Sequence, residues 1–268
     1  MKRENFSMAR SISKFGLIFS KHVWLRLVTV VLILEICDDL IVSPLLAHYF
    51  AGHFWLVNVT YKCVELLMAL LLNHGILRTK VFIQRPRWHI GTKQLVLIVL
   101  IGAYFGGTVI FSHPNRVAPA LTVGLIAALP EEYFWRGLIL GYFAQHLHLK
   151  PENRAVWSLI LSSLLFGLYH LSNLHVQPLD VTIAQVLQTV GLGMIFGAIY
   201  LKTGNLLMPI LTHFCWDFFV TLVNGINFSS GSPVNWRVTV VISGLLCISG
   251  VAILLANNSQ SNLIEKMA

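Results

Sequence analysis

Charge is scarce in this chain. Charged residues make up 11% of its 268 residues, and only 11 residues are acidic. That is far below the roughly one quarter usual for a soluble domain, so an ordinary hydrated globular surface is excluded. Cysteine is equally sparse. Cys37, Cys63, Cys215 and Cys247 fall in separate apolar stretches with no CxxC spacing, which excludes a disulfide framework and a zinc ribbon and leaves small packing residues. Low-complexity tracts, visible repeats and loops long enough for a soluble domain are all lacking, so one domain over 1–268 is the economical reading. No Ser–Lys or GxSxG arrangement supports a serine peptidase. The net charge of +8 comes without a basic stripe interleaved with aromatics, which argues against a nucleic-acid partner.

What is abundant is apolar sequence, at 56% hydrophobic residues and a mean hydropathy of +0.73. The expectation is an all-α polytopic membrane protein. Eight stretches can cross a hydrocarbon core about 30 Å thick: about 25–43, 54–77, 94–112, 117–142, 155–173, 180–201, 205–223 and 236–256. The first reads as a retained signal anchor, because its long charged lead has no convincing small-residue cleavage site. Basic residues test the count. With both termini on the cytoplasmic side of the cell membrane, fifteen of the 19 Lys and Arg fall on that side; Arg116 and Arg237 fall on the other, and Lys62 and Arg136 lie inside spans. The positive charge therefore reads as topology and as attraction to the lipid bilayer.

Ionisable residues at bilayer depth cost from about 2.5 kcal/mol upward and usually face a bundle interior. "ALPEEYFWRG" places Glu131, Glu132 and Arg136 in the fourth span, behind Pro130. Glu132 and Arg136 stand four apart and share a helical face, where the arginine holds the carboxylate ionised and oriented. Glu131 is rotated by about 100° and is expected to be buried without a cation, free to act as a general base. His170 follows Phe166 by one turn in the fifth span. His213 and Asp217 are four apart in the seventh, a spacing that suits two metal ligands or an aspartate orienting a histidine. Each group alone has a plainer reading, as a self-neutralising ion pair or a hydrogen-bonded packing histidine. Three in neighbouring spans can satisfy one another by converging in a helix-bundle cavity. At about 1.5 Å per residue, Glu131 and His213 lie roughly 12 Å from the cytoplasmic edge and His170 nearer 20 Å, an offset that tilt or the Pro130 kink must close. Glu35, Asp38 and Asp39, near the outer end of the first span, mirror no motif. They are expected to stay hydrated and outside the chemistry.

"EEYFWR", "FGLYH" and "HFCWD", in that order, resemble the EExxxR, FxxxH and HxxxN/D motifs of the CPBP family, the CAAX proteases and bacteriocin-processing proteins also called Abi. The resemblance covers about 117–223, expected to be the catalytic core. It implies an intramembrane endopeptidase acting on a membrane-associated peptide or protein. Glu131, helped by His170, would activate water, while His213, tuned by Asp217, would stabilise the oxyanion or bind a metal that does so. Zinc held by His170 and His213 and a metal-free glutamate mechanism both remain open. Asp217 stands where the eukaryotic prenyl endopeptidases show asparagine, so the resemblance implies the chemistry more than a prenylated substrate. The alternatives are a non-catalytic bacteriocin-immunity or scaffolding protein, and a proton-coupled transporter, whose usual repeated halves are not visible here.

The charge sorting makes a topological prediction. Reporters fused after residue 268 and inserted near Arg85 should both read cytoplasm, and one near His53 the opposite side; an extracytoplasmic signal at either of the first two sites would sink the arrangement.

Overall fold

The computed structural model describes residues 21–83, 106–107, 110–226, 233–256 and 263–264, and among these it is helical with no strand. Helix α1 (Lys21–Cys37) runs through a wide π turn (Asp38–Val42) into α2 (Ser43–Tyr49). Helix α3 (Phe54–Leu72) ends in a second π turn (Asn73–Leu77). A short 3-10 turn (Pro114–Arg116) leads into α4 (Val117–Glu132), which continues without a break through a third π turn (Tyr133–Leu140) into α5 (Gly141–His146). Then come α6 (Pro151–Tyr169) with its 3-10 end (His170–His175), α7 (Leu179–Thr203), α8 (Leu207–Asn224) and α9 (Trp236–Leu255). Proline opens α6 at a position needing no backbone donor, and Gly204, with φ of 63°, closes α7 in the left-handed region.

Among the described residues, six helical stretches are long and apolar enough to cross a membrane: Phe54–Leu77, Pro114–His146, Pro151–His175, Leu179–Thr203, Leu207–Asn224 and Trp236–Leu255. They coincide with six of the eight expected spans and make this an all-α polytopic membrane protein. The full count of eight is not reached among the described residues. The stretch 25–43 is helical, but Glu35, Asp38 and Asp39 crowd into its second half. The stretch 94–112 lies outside the described residues except at 106–107 and 110–112.

Helix α7 is the hub of the C-terminal half, packed against α6, α8 and α9, while α4 packs on α8 and α3. Small residues set these crossings, because lipid supplies no hydrophobic drive between helices and close backbone approach must supply the attraction. A Cβ added at Gly193 would lie 2.9 Å from the Ser163 Cβ, and one at Gly250 would lie 2.6 Å from the Met194 carbonyl carbon. Outward faces carry Leu121, Leu125, Leu129, Leu245 and Ile248, as a lipid solvent requires. The interior around the third π turn is dense: Phe134, Trp135, Leu138 and Ile139 are buried with Phe166, Tyr142 and Phe143.

The stretch after α3 is pinned against the bundle. Thr79 donates its backbone N–H to the Asn73 Oδ1 at 2.8 Å, and the Val81 side chain lies 3.3 Å from where a Cβ on Gly137 would sit. Phe82 donates its N–H to the Tyr200 hydroxyl at 3.0 Å and accepts from the Leu206 N–H at 3.0 Å, and Ile83 pairs with Asn205. The segment is wedged between the π turn and the α7–α8 connection, so α8 starts from a buried turn.

The crossings are testable by thermal unfolding in detergent. Gly250→Ala should destabilise by about 1–3 kcal/mol through overpacking against α7. Gly244→Ala, where an added Cβ meets nothing within 4 Å, should be neutral or slightly stabilising.

Candidate active site

Four of the six expected site residues form one bonded network. Pro130 sits inside α4, Glu131 and Glu132 end its regular α-helical run, and Arg136 projects from the wide turn that follows directly at Tyr133. Arg136 donates from Nη1 to the Glu132 Oε1 at 2.8 Å, the expected four-residue pair. The same Oε1 lies 2.8 Å from the His213 Nδ1 on α8, and the His213 Nε2 lies 3.2 Å from the Asp217 Oδ2 one turn later. Both ring nitrogens thus face carboxylates, which only accept, so the arrangement suits a ring carrying both N–H groups. Glu132 is wholly buried, and its Oε2 and the Arg136 Nη2 have no hydrogen-bond partner among the described residues.

Aromatic rings complete the walls. The Arg136 guanidinium carbon lies 4.2 Å from the Phe166 ring centre and 5.2 Å from that of Phe196, and Phe196 stacks on His213 at 4.9 Å. Such contacts favour a planar cation that has lost much of its water. His170 is joined to the network through Phe166, whose ring meets it edge-on at 5.2 Å and approaches His213 at 6.3 Å. That shared ring links His170 to α8 despite the depth offset expected from residue counting. The His170 Nδ1 lies 2.9 Å from the Phe166 carbonyl, which can only accept; the proton therefore sits on Nδ1, and in the neutral ring Nε2 is the basic nitrogen.

Glu131 corrects one expectation. It is not buried without a cation: the Lys62 Nζ on α3 lies 3.0 Å from its Oε1 and 2.7 Å from the Glu65 Oε2. Packing of α3 on α4 brings the lysine there. The sequence held a signal, since Lys62 is one of two basic residues inside expected spans and has Glu65 three positions on, but nothing in it says which helix Lys62 faces. Glu131 keeps 9% exposure where Glu132 has none.

The acidic group of α1 divides. Glu35 and Asp39 are half-buried, but Asp38 is fully buried with neither carboxylate oxygen hydrogen-bonded among the described residues, so the expected hydration fails for it. All four cysteines are free.

The donors as arranged do not fit zinc. His213 has both nitrogens engaged, His170 offers only Nε2, and the described residues contain no group of three or more His, Cys, Asp or Glu placed to share an ion. Beside the network, an apolar groove between α7 and α8 is lined by Ile195, Phe196, Thr212, Cys215, Trp216 and Phe219, among others.

Buried carboxylates, an aromatic-clamped arginine and two histidines thus converge inside one membrane bundle. Residues 113–219 match the family described as type II CAAX prenyl endopeptidase Rce1-like, which is consistent with the CPBP family and covers all six expected site residues. No curated protein and no solved structure matches the chain.

The network predicts an order of damage. Arg136→Ala leaves the wholly buried Glu132 with His213 alone and should cost about 3–5 kcal/mol, whereas Glu131→Gln keeps the side chain's shape and leaves Lys62 paired with Glu65. Equal expression and thermal stability of the two variants would argue against the Glu132–Arg136 pair.

Proposed function

We propose that this chain is a multi-pass endopeptidase of the cell membrane, with both termini cytoplasmic, that hydrolyses a peptide bond in a membrane-associated peptide or protein. One observation carries the reading: of two adjacent glutamates, Glu132 is locked into a wholly buried network, while Glu131 keeps 9% exposure and is held through one oxygen only, by Lys62. That division separates a structural carboxylate from one able to meet water.

In the proposed reaction Glu131, with His170 accepting through Nε2, takes a proton from water as the oxygen attacks the scissile carbonyl carbon. The carbonyl becomes a tetrahedral oxyanion. His213 presents an N–H toward it, using Nε2, whose 3.2 Å contact to Asp217 is the looser of its two. Asp217 holds that N–H until the oxyanion forms and takes it, and Glu132 with Arg136 fixes the ring's other edge throughout. Collapse of the intermediate breaks the C–N bond, and the proton held by Glu131 passes to the leaving amine. The apolar groove walled by Phe196 supports a substrate that stays in the lipid phase while its scissile bond reaches the polar network. No step is routed through a metal.

Purified protein in detergent, given a membrane-anchored peptide library, should release peptide fragments. Glu131→Gln should lower kcat by about 10²-fold to 10⁴-fold, the usual worth of a general base, with the fold intact, and a zinc chelator should leave the wild-type rate unchanged. A Glu131→Gln variant as active as wild type would overturn the role. Wild-type protein that binds peptides without cutting any would favour the immunity or scaffolding alternative.

A further inference from the structure

Helix α3 lies outside the matched segment, yet it reaches the candidate general base. Lys62 and Glu65, three residues apart, would neutralise each other inside a span without help, and their 2.7 Å contact is the plain explanation for finding both inside the bundle. What that pairing leaves unexplained is the direction of the ammonium. Its nitrogen also stands 3.0 Å from the Oε1 of Glu131, a residue 69 positions away, and so sits between two carboxylates from different helices.

A lysine alone would make a poor positioning group, since a four-carbon stem gives its charge many placements. Glu65 removes that freedom. Its side chain is 2% exposed and anchors the ammonium from one side, so the remaining N–H donors are directed at Glu131. The contact uses the Oε1 of Glu131 and leaves Oε2 as the oxygen able to take a proton from water.

From this geometry we infer that Lys62 is a positioning residue for Glu131, held in place by Glu65, so that the active site draws on α3 as well as on α4, α6 and α8. The inference rests on the endopeptidase reading. It asks more of Lys62 than charge balance: the lysine fixes the orientation of the catalytic carboxylate and contacts no substrate.

The test is steady-state hydrolysis by the full chain in detergent, comparing wild type with Lys62→Met, Lys62→Arg and the double variant Lys62→Met/Glu65→Met, each with thermal unfolding measured alongside. The double variant removes the lysine and its anchor together and leaves one carboxylate of the three-membered cluster, Glu131, where Lys62→Met leaves two, so it remains informative if Lys62→Met folds poorly. Positioning predicts that kcat falls by about 30-fold or more in the double variant, with KM within about threefold and a melting temperature above that of Lys62→Met. Lys62→Arg, which keeps a cation there, should recover at least a third of wild-type kcat. A double variant with wild-type kcat would overturn the inference while leaving the endopeptidase reading intact. So would a rise in KM alone, which would make Lys62 a substrate-binding group. Wild-type protein that hydrolyses no peptide would remove the endopeptidase reading, and this inference with it.

Discussion

The Oε1 atom of Glu132 receives Arg136 from its own helix and His213 from α8, and the geometry of the site depends on that double contact. In a medium that cannot solvate a bare carboxylate, a wholly buried glutamate is tolerable only while paired, and each partner is equally committed to it. The contact therefore sets the rotation of α8 against α4 as well as neutralising charge. Asp217 receives its place from the same constraint, because the ring it touches is already fixed at the other edge.

Adjacent glutamates on one helix cannot share an environment, since successive side chains are turned by about 100°. Here the rotation sends Glu132 toward α8 and Glu131 toward α3, giving the pair different cations and different access to solvent. The wide turn following Pro130 maintains this arrangement deep within the bundle, where the aromatic rings of Phe166 and Phe196 take the place of water around Arg136. Those rings also touch the histidines, so the same side chains that shield the cation align the imidazoles.

Around this centre the fold is held by backbone proximity. Glycines at the α6–α7 and α7–α9 crossings allow contacts that any larger residue would push apart, which suits a protein whose outer surface gains nothing from hiding leucines. The extended segment after α3 adds a polar clamp on the α7–α8 turn. It holds the start of α8 inside the protein.

The features that depend on neighbours along the chain were legible in the sequence. The apolar runs marked six helices nearly to their ends. Four-residue spacing identified Glu132 with Arg136 and His213 with Asp217, because helical periodicity alone puts those side chains within reach. Only the tertiary structure decided which faces meet. Lys62 on Glu131, Glu132 on His213, the burial of Asp38 and the wedge at Val81–Ile83 all depend on how helices far apart in sequence rotate and cross, and hydropathy carries no record of azimuth. In a membrane bundle most helical faces are apolar whether they meet lipid or protein. The pattern that reveals a soluble helix's inner face is then weak, and long-range partners emerge only once the helices are packed.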